Sequence, residues 1–201
     1  PVRELLMGPG GEDAVDLDGV ADIGGAVAVV GKVAGGAGYD WAIGLSDPQP
    51  QDADLALPIA PLGILQVGVR DRFNEVEALS GGNLNDTLRG DSIVPSARGG
   101  AGFIGCDVLD QQGLDRIPGL DALVPPLNVP ADTVIAASVS KCPLLTAGTN
   151  VWGDGNILLG GAGSDVLEGR GGNDIIDGDK DVRVRLSVRH NASGPASEVG
   201  R

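Results

Sequence analysis

Glycine and aspartate recur at fixed spacing in this chain, and these two residue types together can build a cation site. Residues 160–168 read GGAGSDVLE and fit the nine-residue pattern G-G-x-G-x-D-x-U-x, in which U is a large aliphatic residue. Residues 169–177 read GRGGNDIID and lack only the second glycine. Residues 151–159 carry Asn156 at the aspartate position. The segment 151–180 therefore holds consecutive units in one frame and is the strongest repeat in the chain.

The same pattern occurs nearer the amino terminus. Residues 35–43 read GGAGYDWAI and match every glycine and the aspartate, whereas 8–16 read GPGGEDAVD and miss one glycine. Residues 81–89 read GGNLNDTLR, with Leu84 where the third glycine belongs. For Asp86 the sequence favours a structural role without metal. The match to the nonapeptide pattern is thus moderate around 8–43 and weak around 72–90.

The chemistry of the repeat favours calcium. Glycine adopts positive φ easily, so a tight turn can aim carbonyl oxygens inward, and aspartate adds a carboxylate on a short stem. Calcium takes six to eight oxygen ligands, and a mixture of carbonyls and carboxylates suits it. The x-U-x tail predicts a short strand with U pointing inward. The candidate ligands and turn residues are Asp165, Asp174, Asn156, Gly161, Gly163, Gly172, Asp179, Asp40, Asp22, Gly36 and Gly38.

The spacing predicts which loops stack. If two nonapeptides make one winding of a parallel β-roll, loops 18 residues apart lie side by side. Asn156 would then face Asp174, and Asp22 would face Asp40. Asp165 lies on the other side, where its partner loop would hold Gly178 and Asp179. Each pair could share one ion between adjacent loops.

A structural reading without metal stays open for every one of these loops. Gly-Asp loops can turn without a cation, and an aspartate side chain can accept hydrogen bonds from backbone N–H groups. Stacking does bring carboxylates close together, which is unfavourable without a counterion. Calcium binding is therefore expected to be coupled to folding.

Composition and charge limit the classes of molecule that this chain is expected to bind. The formal net charge is −14, and the acids comprise 22 Asp and 6 Glu. Such a surface repels nucleic acid and anionic lipid, because both bind basic patches. No stretch reaches the length of about 20 apolar residues that a membrane span needs. The single histidine, His190, excludes a site built on a histidine pair, and Cys106 and Cys142 are either bridged or free.

The chain divides into segments of different character, and its start without methionine predicts a piece of a longer protein. We expect an all-β fold, a parallel β-roll with irregular loops and short helical insertions. The predicted segments are a degenerate roll over 1–43, a Pro-rich excursion over 44–69, roll-like repeats over 70–90, an insertion with short helical turns over 91–150, the main roll with a capping strand over 151–190 and a linker tail over 191–201.

Beyond the generic repeat, several stretches resemble a known family. Residues 70–81, RDRFNEVEALSG, with 85–91, NDTLRGD, resemble the hemolysin-type (RTX) calcium-binding repeats of long bacterial proteins that also carry animal-type haem peroxidase domains. Residues 156–180 look like a later stretch of the same repeats, and 114–120, LDRIPGL, look like that family's inter-repeat insertion. The resemblance implies calcium as the cofactor, a secreted parent exported by type I secretion, and no haem ligand in this chain.

The sequence therefore supports one leading hypothesis and two rivals. The leading one is a calcium-binding module of a larger extracellular or cell-surface protein, which folds on calcium, serves secretion or architecture and has the parent's other domains as partners. The first rival is a non-catalytic fragment of an extracellular haem peroxidase assembly, with no active site of its own. The second is an adhesin or surface-layer segment.

Overall fold

The computed structural model describes residues 5–7, 14–16, 32–36, 38–45, 47–59, 70–94, 109, 119–120, 122–123, 153, 155–182, 188–189 and 198–200. Within these ranges the chain forms short strands and no helix. The strands are, in chain order, β1 Leu5–Met7, β2 Ala14–Asp16, β3 Lys32–Ala34, β4 Trp41–Ile43, β5 Asp52–Asp54, β6 Arg72–Asn74, β7 Ala78–Ser80, β8 Thr87–Arg89, β9 Ile157–Leu159, β10 Val166–Glu168, β11 Ile175–Asp177, β12 Val188–Arg189 and β13 Glu198–Gly200.

Three parallel sheets organise these strands. Sheet 1 has the order β1-β3-β6, sheet 2 the order β2-β4-β7-β9-β11 and sheet 3 the order β5-β8-β10. Successive strands along the chain enter different sheets, so each passage through the sheets, here called a winding, adds one strand to each sheet that it visits. A separate antiparallel pair joins β12 to β13. The prediction of an all-β chain with parallel pairing is confirmed for the described residues.

The number of strands in a winding changes along the chain. Trp41 of β4 lies beside Ala14 of β2, 27 positions earlier, whereas Ile175 of β11 lies beside Ile157 of β9, 18 positions earlier. The prediction of an 18-residue winding is therefore right for β9 and β11 and wrong for β2 and β4. The 27-residue spacing is one nonapeptide longer than the predicted winding, and residues 17–31 between β2 and β3 lie outside the described residues. The next winding does hold a third strand, because β3, β4 and β5 enter three different sheets before β6 begins another.

The aliphatic position of the nonapeptide is buried between the sheets at Ala42, Leu88 and Leu158, as its alternation predicts, whereas Ile176 in the last unit is 48% exposed. Ala42, Leu79 and Leu158 lie side by side at the centre of sheet 2. They belong to a buried cluster with residues of sheets 1 and 3 and the loops beside them, namely Val33, Ala53, Leu55, Phe73, Val76 and Leu88. Burying such side chains is the main source of stability in a chain with so few aromatic residues.

The opposite face of sheet 2 is also buried. Trp41, Ile43 and Ile157 point to that face, where Leu109 and Leu120 from the insertion and Val182 cover them. The insertion therefore contributes to the core. Its predicted helical turns over 107–124 fall mostly outside the described residues; where the chain is described there, Leu123 donates its N–H to the Leu120 carbonyl and closes a turn.

Two segments contain more regular structure than the sequence predicts. The excursion 44–69 includes β5, and Pro58 forms an isolated parallel bridge with Phe73. The tail 191–201 includes β13, which pairs with β12. Neither segment shows the nonapeptide pattern, so no periodic signal predicts these strands.

Candidate metal centre

The glycine-rich loops share one backbone conformation. The second position of the nonapeptide has positive φ in three loops, at Gly36 (101°), Gly161 (94°) and Arg170 (69°). The fourth position does so as well, at Gly38 (127°), Gly163 (135°) and Gly172 (110°). Glycine adopts these values without a steric penalty. The positive φ that the loops require therefore explains why glycine occupies these positions.

The loop 160–165 is stacked between two others. Ala162 donates its N–H to the Gly82 carbonyl at 2.9 Å, which joins it to the loop 81–86. On the other side, Gly160 donates its N–H to the Asp177 carbonyl at 2.8 Å, next to Gly178. The loop containing Asp165 therefore lies beside Gly178, as the spacing predicts.

The Asp165 carboxylate uses its two oxygens differently. Oδ1 accepts a hydrogen bond from the Asp86 N–H at 2.8 Å. Oδ2 is buried and has no hydrogen-bond partner in the described part of the chain. A buried carboxylate oxygen without a partner is unfavourable, because it loses its hydration without compensation. A bound cation would remove that cost.

A second oxygen lies near Asp165 Oδ2 because Gly160 has no side chain. A Cβ at Gly160 would lie 2.5 Å from Asp165 Oδ2 and 2.7 Å from the Gly178 carbonyl oxygen. These oxygens, a carboxylate and a backbone carbonyl, are of the types that calcium prefers. The Asp165 carboxylate and the Gly178 carbonyl are therefore the two oxygens that the structure brings to the open side of Gly160.

The same arrangement recurs at Gly35. A Cβ there would lie 2.5 Å from Asp40 Oδ2 and 2.0 Å from the Glu75 carbonyl oxygen. Asp40 is almost fully buried, and its N–H donates to Glu77 Oε2 at 2.8 Å. The neighbour of Asp40 in the next winding is therefore Glu77, because β4 pairs with β7. The other predicted partner, Asp22, lies outside the described residues.

Asp86 differs from Asp165 in having both carboxylate oxygens bonded. Oδ1 accepts from the Gln51 N–H at 2.8 Å, and Oδ2 accepts from the Gly82 N–H at 2.7 Å. Burial raises the pKa of Asp86, and the negative charges of Asp165 and Asp47 raise it further, against the two hydrogen bonds. These bonds agree with the structural role that the sequence favours for Asp86.

Asn156 and Asp174 are adjacent, as their spacing predicts. The Asn156 N–H donates to Asp174 Oδ1 at 2.8 Å. The Asn156 amide itself is engaged with the backbone: Oδ1 accepts from the Asp91 N–H at 2.9 Å, and Nδ2 donates to the Glu77 carbonyl at 3.0 Å. Asn156 therefore links three segments through hydrogen bonds. Asp179, the remaining predicted ligand, lies in an exposed turn, where its N–H donates to Asp177 Oδ1 at 2.9 Å.

Sequence reasoning missed a network of charged side chains on and beside sheet 3. Its members are Asp52, Asp54, Arg70, Arg89, Glu168 and Arg170. Asp54, Arg89 and Glu168 occupy matching positions in adjacent strands, so the network depends on the register of sheet 3. The only signal in the sequence is an arginine or an acid at the last position of a strand. It indicates an ion pair only once the pairing of the strands in sheet 3 is known.

The network shifts two pKa values of its acids. Burial raises the pKa of Asp52, but hydrogen bonds from Arg89 and Arg70 outweigh it, so this pKa lies below its ordinary value. Burial also raises the pKa of Asp54, and the hydrogen bonds from Arg170 and the Ala56 N–H outweigh it in the same way. Both carboxylates are therefore ionised at neutral pH.

No family model, curated protein or solved structure matches this chain. In the described ranges, no three His, Cys, Asp or Glu side chains group in a way that could hold a metal ion. The arrangement at Gly160 differs from such a group because one of its two oxygens belongs to a backbone carbonyl and not to a side chain. The same described residues contain no helix of the length and apolar character that crossing a bilayer requires.

Proposed function

We propose that this chain is a calcium-binding β-roll module of the RTX type within a larger secreted or cell-surface protein. The observation that carries the proposal is the pairing of the buried, unbonded Asp165 Oδ2 with the Gly178 carbonyl around the side-chain-free Gly160. A cation there is attracted by a full negative charge in a partly desolvated place, where electrostatic attraction is stronger than in water.

The recurrence of this arrangement supports a repeated site. At Gly35 an aspartate oxygen and a carbonyl of the next winding approach the same point, and at Gly81 a Cβ would lie 2.4 Å from Asp86 Oδ2 and 2.3 Å from the Gly160 carbonyl oxygen. Asp86 already has two N–H partners, whereas Asp165 Oδ2 has none among the described residues, so Gly160 marks a better site than Gly81. Water molecules and further carbonyls would complete the coordination, as calcium sites allow.

The module's role follows from the charge of its loops. Burial raises the pKa of Asp86 most and the nearby charge of Asp165 raises it further, so the stacked loops hold like charges close together. Calcium relieves that repulsion and thereby stabilises the folded state. Extracellular calcium modules bind with dissociation constants of about 10⁻⁴ to 10⁻³ M, which suits folding after export to calcium-rich surroundings.

The decisive experiment is a calcium titration of the whole chain after treatment with EGTA. Isothermal calorimetry gives the number of bound ions, and circular dichroism follows the β signal. We expect saturable binding at millimolar calcium and a gain of β structure. Heat without saturation, together with an unchanged β signal, would contradict the proposal.

A matched pair of variants locates the site. Asp165→Asn removes a charge but keeps an oxygen for the Asp86 N–H, so we expect one calcium fewer or at least tenfold weaker binding there. Asp177→Asn removes the same charge on β11, where Oδ1 accepts N–H groups from Asp179 and Lys180. Equal loss of calcium in both variants would mean that net charge alone, and no particular loop, attracts the ion.

A further inference from the structure

Arg170 occupies a position where the other loops have glycine. It is the second residue of the unit 169–177 and corresponds to Gly36 and Gly161. Its φ is 69°, in the left-handed region that is unfavourable for a residue with a side chain. An arginine is retained in this conformation only where its side chain contributes something that offsets the backbone strain.

The Arg170 guanidinium binds oxygens from two distant segments and approaches one from the strand just before it. Nη1 donates to Asp54 Oδ1 at 2.7 Å and to the Gly90 carbonyl at 3.0 Å, and Nη2 donates to Asp54 Oδ2 at 3.0 Å. Nε lies 3.5 Å from Glu168 Oε1. The Asp54 side chain is only 8% exposed, so its charge is largely removed from water, and Arg170 is its nearest cation, with Arg70 Nη1 farther away at 3.9 Å.

These oxygens are of the same kinds as those at the proposed calcium site. Gly90 directly follows β8 and Gly178 directly follows β11, so each supplies the carbonyl that ends a strand. We call each of these two places, one at Gly90 and one at Gly178, a corner. Each corner also holds a buried carboxylate oxygen, from Asp54 at Gly90 and from Asp165 at Gly178. At the first corner the oxygens surround a guanidinium, whereas at the second a carboxylate oxygen has no protein partner among the described residues.

We propose that Arg170 is a fixed internal cation that replaces calcium at the corner formed by Asp54, Gly90 and Glu168. This inference rests on the proposed function, because it treats the nonapeptide loops as cation sites. It divides the structure into a calcium-dependent corner at Asp165 and a corner at Arg170 that is neutralised by the chain itself. The last windings would then keep one cross-link to β5 when calcium is absent.

The test is Arg170→Gly, which restores the second glycine of the repeat and removes the cation. In EGTA, urea unfolding should show the variant destabilised, with an unfolding equilibrium constant raised about tenfold for the loss of charged hydrogen bonds. In calcium, calorimetry should count one more bound ion than in the wild-type chain, and the stability should recover. Lys32→Gln, which removes a charge from β3 of sheet 1, outside the Arg170 network and the Gly178 turn, is the control and should change neither result.

The sign of the effect in EGTA makes the test sharp. If Arg170 had no cation role, glycine would only relieve a left-handed backbone, and Arg170→Gly would be as stable as the wild-type chain or more so; that result overturns the inference. Destabilisation without an extra calcium also overturns it, because Arg170 would then be an ordinary cross-link. Arg170→Lys keeps a charge, so it should fold in EGTA and bind the wild-type number of ions even if Arg170→Gly needs calcium to fold.

The two proposals fail separately. A wild-type chain that binds no calcium contradicts the proposed function, and an added site in Arg170→Gly would still support the fixed cation. A wild-type chain that binds calcium, with Arg170→Gly indistinguishable from it in both measurements, supports the proposed function and overturns the inference about Arg170.

Discussion

Asp165 Oδ1 accepts a hydrogen bond from the backbone N–H of Asp86, which lies 79 positions earlier in the chain and one winding away. The same relationship, in which a side-chain oxygen bonds the N–H of the equivalent residue in the preceding winding, joins Glu77 to Asp40, Asp86 to Gln51 and Asp174 to Asn156. The acids at the ends of the loops therefore hold neighbouring windings in register whether or not a cation is present. At Asp165 one oxygen makes this hydrogen bond, and the other is buried without a hydrogen-bond partner among the described residues.

The different bonding of the two Asp165 carboxylate oxygens gives the first prediction. In EGTA, Asp165→Ala should lower the free energy of unfolding by about 1–2 kcal/mol, because it leaves the Asp86 N–H without its acceptor. Asp165→Asn should cost less, since the amide oxygen can still accept and the repulsion of Asp86 disappears. Urea unfolding of both variants checks this. Equal losses for the two would show that the Asp86 hydrogen bond contributes little.

The second prediction concerns the space beside Gly160. A Cβ in Gly160→Ala would lie 2.5 Å from Asp165 Oδ2 and 2.7 Å from the Gly178 carbonyl, both closer than atoms can approach. We expect a loss of about 1–3 kcal/mol in urea unfolding, as for other overpacked sites, together with weaker calcium binding. Gly178→Ala is the control, because nothing lies within 4 Å of a Cβ there. Comparable unfolding midpoints for the two variants would contradict the geometry.

The nonapeptide explains how much of this structure the sequence could predict. It located the strands β4, β8, β9, β10 and β11 and the left-handed glycines, because each follows from local backbone preference. It did not predict the three-strand windings, because the number of strands per winding depends on which strands pair. Trp41 follows Lys32 by nine residues whether a winding holds two strands or three. Only the pairing of Trp41 with Ala14 distinguishes these two possibilities.

The site shows the same limit. The spacing correctly placed Asn156 beside Asp174, since both lie in the regular 18-residue part. It could not show that the Asn156 amide bonds Glu77 and Asp91, because those residues come from segments joined only by sheet 2 and the loops beside it. Likewise the partner of Arg170, Asp54, is 116 positions away and lies in a segment that the sequence left irregular.

The third prediction concerns Asn156, whose side chain both accepts and donates. Asn156→Ala leaves the Asp91 N–H and the Glu77 carbonyl without their partners, so we expect a loss of about 2–4 kcal/mol in urea unfolding. Asn156→Asp keeps the acceptor but places a charge where the amide donated to a carbonyl, so it should also be destabilised at neutral pH. Asn173→Ala, at an exposed loop position, is the control. A calcium affinity that rises in Asn156→Asp with no loss of stability in EGTA would instead make Asn156 a metal ligand.

The last prediction is a pH dependence at Asp54. Its pKa in the folded chain lies below the ordinary 3.8, because the Arg170 and Ala56 hydrogen bonds outweigh the effect of burial. A lowered folded-state pKa contributes stability that is complete above the unfolded-state pKa and is lost as the pH falls through the folded-state pKa. Asp54→Asn should therefore be less stable than the wild-type chain by about 1–3 kcal/mol at pH 7, and this gap should persist to about pH 5 and close below pH 3.8. The raised pKa of Asp86 acts in the opposite direction, but it is present in both chains and cancels from the difference. Urea unfolding in EGTA at pH 7, 5, 4 and 3 measures the gap, and a gap that stays constant to pH 3 would show that the charge of Asp54 does not stabilise the fold.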